Sequence, residues 1–449
     1  MSDLLSIGKS GVLAYQSALA GISENVVNAN NDGFAKRQVT MKEQYTAAGP
    51  AFLYRGAGSF NGVQAADVTR VWDQYAAFKA WGANSDDSQA STRSKFFGTI
   101  QDTLNDGDSG VGVKLTAIFT SANALAANPN DATLRQSFLY ALQDASGAIN
   151  KTAANLTKIS TTISSQVNEA VGQINDALTA LTRINLALKT APQGTSGRAS
   201  LEDQRDTIIG SISDKIGIDV TLDNFGSATL KINDSGGPVL LDGGKAIPGL
   251  VSLSFAANGT FGMIVNNDGI TSAVSPTSGA LAGYAEAANQ IAGRKSQLDT
   301  LAVNLMQQVN NWNAQGIDLN GNPGAALMTG TDAATLAVSV TDTNLIAAAD
   351  TTSPNGNLLT LQALRGPNGA ETSWRAMVND QALRVQSAKT LATSAAAAKD
   401  GAYSALDNVS GVDLDTEAAE LMHFQQAYSA SAKIIQTARE TLQAVLDLF

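Results

Sequence analysis

Few side chains in this 449-residue chain could make or break a covalent bond. It holds one histidine, His423, and no cysteine. Thiolate nucleophiles, disulfides and cysteine-ligated zinc are therefore excluded. A catalytic triad or a two-histidine metal site lacks its imidazoles. Gly8-Lys9-Ser10 ends like a phosphate-binding loop, but Asp3 stands where that motif's first glycine belongs and the surrounding pattern is helical. The run DLNGNPG at 318–324 begins like a calcium loop. Pro323 occupies the place of its sharp-turn glycine, however, and Thr329 that of its bidentate glutamate, so a tight turn describes it better. The carboxylate pairs Asp86-Asp87 and Asp413/Asp415 read as solvated caps in polar turns rather than as a glycosidase dyad. Glu202 and Arg205, three apart on one helix, read as a surface pair worth about 0.2–0.5 kcal/mol. Trp72, Trp81, Trp312 and Trp374 are scattered and read as core, and His423 as a surface or interface residue. No nucleophile, base and oxyanion donor come together. Neither catalysis nor a metal or other cofactor is expected.

What the residue pattern supports is packing between helices. Met1, Leu5, Gly8, Val12, Tyr15, Leu19, Ile22, Val26 and Ala29 follow a 4-3 spacing without a polar interruption. That is a coiled-coil seam in which Gly8 lets a partner approach closely. It stops at the turn-forming run NNDGF, 30–34. Leu414, Ala418, Leu421, Gln425, Tyr428, Ala432, Ile435, Arg439, Leu442, Leu446 and Phe449 repeat the spacing at the other end, with Asp413 or Asp415 placed to cap the helix. The two stripes span about 43 and 54 Å. Both are too long and narrow to be covered by a compact domain, so the two ends are expected to pair.

Between them the chain is α+β, mainly α. The stretch 85–190 reads as two long helices broken at NPND, 128–131, and a third helix covers 201–216. The period then changes to two: Ile216, Ile218, Val220 and Leu222 alternate, as do Val251, Leu253 and Phe255, and Phe261, Met263 and Val265, with Asn258-Gly259 as a hairpin turn. Helices resume over 281–315 and 372–409, around a loop-rich stretch at 316–371. The expected organisation has three parts. Residues 1–40 with 410–449 form a terminal coiled coil, 41–216 with 281–409 an elongated helical bundle, and 217–280 an inserted antiparallel β domain at the far end. The net charge of −11 with only 29 dispersed basic residues argues against nucleic acid. No apolar run approaches the 18 residues of a spanning helix, so membrane insertion is not expected. The N-terminus lacks the basic and apolar regions of a signal peptide, which leaves the cytoplasm, or export by a route that keeps the N-terminus intact.

The two ends also carry a resemblance. ENVVNANNDGF (24–34), with Asn25, Asn28, Gly33 and Phe34 as its turn residues, resembles the asparagine-rich signature of bacterial flagellar rod, hook and hook-associated proteins. AKRQV (35–39), RVWDQY (70–75), NPNDATLRQ (128–136), LEDQRD (201–206), GIDLNGNPG (316–324) and the C-terminal stretch 410–446 resemble the hook–filament junction members of that axial family. Asp32 and Ala35 depart from the usual pattern. The resemblance implies a structural subunit joining hook to filament as a homo-oligomeric ring. Its implied neighbours are the hook protein and the second junction protein, hook-associated protein 3, with an export chaperone bound at the C-terminal helix. It further implies type III export without a cleaved signal and an extracellular place in the flagellum. The assembly interface would then be the seams: Leu5, Val12, Tyr15, Leu19, Ile22 and Val26 on one helix, and Leu414, Leu421, Tyr428, Ile435, Leu442 and Leu446 on the other. The rival readings are another axial protein such as the hook subunit, and a non-flagellar coiled-coil adaptor.

Overall fold

The computed structural model describes residues 2–31, 33–45, 60–105 and 107–447. Met1 and Phe449, at the ends of the seams, and Asp32 of the turn signature lie outside them.

The chain begins with helix α1 (Ser2–Asn28), turns, and runs back as a hairpin of β1 (Arg37–Tyr45) and β2 (Phe60–Arg70). The strands pair antiparallel from Arg37↔Arg70 to Tyr45↔Phe60 and lie along α1. This hairpin, and not a bundle helix, occupies most of the stretch after residue 40, and it belongs with the terminal helices. Its alternation is weak, RQVTMKEQY against FNGVQAADVTR, which is why periodicity did not reveal it. Helix α2 (Gln74–Thr103) starts the bundle eleven residues earlier than 85, capped by Asp73, whose side chain accepts from the Ala76 amide at 2.8 Å. The stretch read as two helices is three: α2, then α3 (Val111–Ala127), then α4 (Ala132–Thr190). The expected break at NPND holds, with Asp131 as the α4 N-cap. The additional break follows Leu104, at a sequence rich in Asn, Asp and Gly.

Helix α4, with 59 residues, is a spine of about 88 Å. Its buried line from Phe138 through Leu142, Ile149, Leu156, Ile163, Ile174 and Leu181 follows helical spacing. Helices α5 (Ser196–Lys215), α6 (Ala280–Ala314), the one-turn α7 (Gly356–Thr360) and α8 (Ala370–Ser410) complete the bundle, and α9 (Leu414–Leu446) returns to α1. Of the tryptophans, Trp81, Trp312 and Trp374 are buried in the core, whereas Trp72 is half-buried with the Arg70 and Arg205 guanidinium groups over its ring at 5.4 and 5.6 Å.

The β domain holds two three-stranded sheets: β3 (Ile218–Leu222), β4 (Ala228–Ile232) and β5 (Val239–Leu241), then β6 (Leu250–Phe255), β7 (Phe261–Asn267) and β8 (Ile270–Val274). The three alternating runs are β3, β6 and β7, and Asn258-Gly259 turns the β6–β7 hairpin with Gly259 at φ 86°. The domain's ends meet, since the Gly217 amide donates to the Ser278 carbonyl at 3.1 Å. Its position differs from the expected tip. Two asparagines of α4 dock the sheets side-on: Asn185 exchanges two hydrogen bonds with the Ala228 backbone and Asn175 two with Val251, all at 2.9 Å. The tip is formed instead by 316–371, which carries β9 (Met328–Thr329) and β10 (Ala337–Val338) and is bonded to the start of α4 through Arg135. The Asp318 carboxylate there accepts the amides of Asn320 and Asn322, both at 2.8 Å, as a tight turn requires.

One continuous apolar core joins the bundle and the β domain. Among the described residues it runs from Trp72 to Leu406. It includes no residue of α1, the hairpin or α9.

Candidate assembly interface

Helices α1 and α9 pair with each other, as their matching stripes require. The contact line is narrower than the seams. On α1 it runs through Gly8, Gly11, Ala14, Ala18, Ile22 and Asn25, all buried, while the buried Gly21 faces Val39 of β1 instead. On α9 it runs through Glu417, Ser431 and Ala438, with Leu421, Phe424 and Ile435 half-buried. Gly8 allows the close approach expected of it: a Cβ there would stand 2.7 Å from Ile435 Cγ1, and one at Gly11 2.7 Å from Ser431 Oγ. Tyr15 meets Phe424 with ring centroids 6.2 Å apart. His423 is exposed, edge-on to Phe424.

Small residues therefore make the pair, and the larger apolar ones border it. Of the expected interface residues only Ile22 is buried. Val12, Tyr15, Leu19, Leu421 and Ile435 are half-buried. Leu5, Val26, Leu414, Tyr428, Leu442 and Leu446 are exposed by 37 to 60%, and Leu4, Leu13, Met422 and Val445 add to this outer apolar surface.

At the base of the pair the turn signature meets the bundle. Asn25 is buried and fully satisfied. Its side chain accepts the Arg37 amide at 2.7 Å and donates to the Arg37 carbonyl at 2.9 Å and to Glu417 Oε2 at 3.0 Å. Asn28 caps nothing beyond its own helix, donating to the Glu24 carbonyl at 2.9 Å. Gly33 takes φ 82° where a Cβ would meet Thr207, and the Arg37 guanidinium lies 4.6 Å from the centre of the Phe34 ring. Glu417, fully buried, also receives Lys36 Nζ at 2.7 Å. That hydrogen bond is the main cause holding the Lys36 ammonium above its ordinary value. Arg37 and Arg70 reach α5: Arg37 to Asp203 at 2.5 Å, and Arg70 to Asp203 at 2.8 Å and Asp206 at 2.6 Å. Burial pushes the Asp203 carboxyl up, and Arg37 and Arg70 pull against it.

Two electrostatic expectations fail here. Glu202 and Arg205 are not a surface pair: Arg205 is buried and donates to the Gly226 carbonyl at 2.7 Å, while Glu202 pairs with Arg198 at 3.2 Å. Helical spacing placed the two residues on one face without showing that α5 carries that face inward. Asp86 and Asp87 cap nothing, since both lie within α2, and Asp87 receives Lys399 at 3.0 Å. Asp413 does cap α9, accepting the Asp415 amide at 3.0 Å. Arg37, Arg70, Asp203 and Glu417 carried no signal of their own in the spacing. What they shared was membership of the stretches that resembled a family.

Residues 97–328 match the model described as the flagellar hook-associated protein FlgK helical domain, and residues 405–448 that of the flagellar basal body rod FlgEFG protein C-terminal region. The chain is 24% identical over 497 aligned positions to flagellar hook-associated protein 1 of Bacillus subtilis (strain 168), spanning 99% of this chain and 97% of that protein. It is 26% identical over 250 positions to the protein of that name from Salmonella typhimurium, which covers 55% of this chain but only 44% of the relative. Its fold resembles the solved structure of the flagellar hook junction protein FlgK from Burkholderia pseudomallei, with a TM-score of 0.51 at 24% identity over 56% of this chain and 46% of that one.

Proposed function

The chain belongs to the flagellar hook-associated protein FlgK family, the structural subunits of the hook–filament junction, and on that premise we propose that the outer face of its α1–α9 pair is what joins it to its neighbours. The observation that carries this is the apolar surface left on the pair. Leu4, Leu5 and Leu13 on α1, and Met422, Leu442 and Leu446 on α9, are each 44 to 60% exposed, and of these Leu5, Leu442 and Leu446 lie on the 3.5-residue pattern of their helices. Covering such surface yields about 25 cal/mol per Å², and a ring of copies multiplies that gain. The copies form a ring between the hook protein on one side and hook-associated protein 3 on the other. An export chaperone holds α9, masking its apolar face until the subunit leaves the cell by type III export, without a cleaved signal, for its extracellular place. The role is structural, and the match of 97–328 to the junction protein's helical domain favours it over a hook subunit.

The test is Leu442→Asp. The side chain is 48% exposed in the free chain, so the purified variant is expected to melt like the parent. In an assembled interface the same carboxylate would be buried unpaired, at a cost of several kcal/mol per copy, and cells carrying the variant are expected to shed filaments. Filaments that stay attached would remove this face from the assembly. Ile435→Asp separates the two roles. Ile435 sits against Gly8, so that variant is expected to loosen the pair within the free protein.

A further inference from the structure

Three stretches that are far apart in sequence and that the junction function leaves unexplained meet at one place. They are AKRQV, RVWDQY and LEDQRD. Arg37 comes from the first, Arg70 from the second, and Glu202, Asp203 and Asp206 from the third. Arg70 is held by all three carboxylates, at 3.7, 2.8 and 2.6 Å, and Arg37 by Asp203 at 2.5 Å. Both guanidinium groups are at least 95% buried. On its other side Arg37 is gripped through its backbone by Asn25 of α1, which holds Glu417 of α9, which holds Lys36. The result is an unbroken polar chain from α5 of the bundle through β1 and α1 to α9.

Its position gives it a task. The main apolar core stops at Trp72 and Leu406, and the buried Ala14, Ala18, Ile22, Ala35 and Ala438 of the terminal unit lie outside it. Clefts of about 780 and 930 Å³ flank the joint, one against Lys36 and Phe424, the other between Phe34, Trp72 and Tyr403. Further links across the boundary are polar as well: the Val68 amide to the Gly194 carbonyl at 2.8 Å, the Lys36 amide to the Ser410 carbonyl at 2.8 Å, and the Ser196 hydroxyl to Glu24 at 2.8 Å. A joint without a shared core can turn unless directional contacts stop it. Buried, bidentate-capable Arg–carboxylate pairs are the directional contacts with the strictest geometry.

We propose that Arg37 and Arg70 are positioning residues that set the angle of the α1–α9 pair against the bundle, and so aim its outer face. That last step rests on the assembly reading above; the fixed angle does not. The chain is free of cysteine, so site-directed spin labels can be placed without background. One pair, Ser429→Cys on α9 with Ser211→Cys on α5, crosses the joint. A second, Ser17→Cys on α1 with Ser429→Cys, stays within the terminal unit. Distances are read in the purified full-length chain by pulsed electron spin resonance. The parent is expected to give one narrow distribution for each pair. Arg37→Ala and Arg70→Ala, which remove the links to α5, should at least double the width across the joint while leaving the α1–α9 distance narrow. A joint distance as narrow in Arg37→Ala as in the parent overturns the proposal. Equal broadening of both pairs also overturns it, because the residues would then merely hold the unit folded. Neither readout involves a flagellum, so a failed Leu442→Asp test and a failed angle are told apart.

Discussion

At the scale of single residues, helix asparagines serve as clips for non-helical backbone. Asn25, Asn175 and Asn185 each donate to and accept from one residue's backbone, and Asn310 does the same with Met328, whose carbonyl accepts at 2.8 Å and whose amide donates at 2.9 Å. Each replaces the neighbouring strand that those groups would otherwise need. Asn185→Leu leaves both Ala228 groups unpaired in a buried site, and a loss of about 2–4 kcal/mol in denaturant unfolding is expected. Arg135 closes the far tip in a similar way, its buried guanidinium donating to the carbonyls of Thr343 at 3.0 Å and Ile346 at 2.8 Å. Asp413 offers a pH test. Hydrogen bonds from the Asp415 amide and from the Thr416 hydroxyl and amide hold its carboxyl below the ordinary carboxylate value. A depressed acid contributes stability above its unfolded pKa and loses it as pH falls through the folded one. The first turn of α9 is therefore expected to fray only in acid below the ordinary range, read by amide exchange, and Asp413→Asn should flatten that dependence. Of these clips only Asn25 was singled out in the sequence, through its stretch's resemblance to a family; Asn175, Asn185 and Asn310 were not legible. An asparagine within a helix looks the same whether it faces water or a partner strand 43 residues away.

At the scale of elements, the strongly periodic parts were legible and the weakly periodic ones were not. Helices α1, α4 and α9 announce themselves because their apolar positions recur over many turns, and β3, β6 and β7 because Val, Ile and Phe alternate. The β1–β2 hairpin escaped because its strands place few apolar residues among Thr, Gln, Glu and Asp, and β4, β5 and β8 because three to five residues are too short a run to carry a period. The seams were legible as stripes, but their phase was not. Periodicity favours large apolar residues: of the contact line it found Gly8, whereas Gly11, Ala14 and Ala18 each lie one position before the seam residues Val12, Tyr15 and Leu19. Gly8→Val should accordingly weaken the pair although it adds apolar area, because its Cβ would fall 2.7 Å from Ile435. Loss of helical ellipticity from α9 at a temperature where the bundle stays folded is the measurement. The β domain reads as a self-contained insertion with adjacent ends, and the ends are adjacent. It nevertheless shares its core with the bundle: Leu230, Leu240 and Leu241 are fully buried in the same cluster as α4. Replacing 218–278 by a short Gly-Ser linker is thus expected to lower the melting temperature by roughly 10 °C or more, through several kcal/mol of uncovered apolar surface. An unchanged melt would show that the domain merely rests on the spine.

At the scale of the whole molecule, two bodies with different kinds of interior share one chain. The bundle and β domain are filled by Leu, Ile, Phe and Trp. The terminal unit is filled by Ala and Gly and stands outside that core. Amides of α1 and α9 are therefore expected to exchange with solvent at least 100-fold faster than those of central α4, in keeping with sub-global opening of the body that buries less. The terminal pair also has the longest reach in sequence, since the Asn25–Glu417 contact closes a separation of 392 residues. This reach orders events in time. As the chain is made from its N-terminus, α1 cannot find α9 until α9 is present, whereas the bundle's own contacts can close before it. A chain that has not yet reached α9 thus lacks the α1–α9 pair altogether. Pairing of α1 with α9 therefore reports that everything between them is already present.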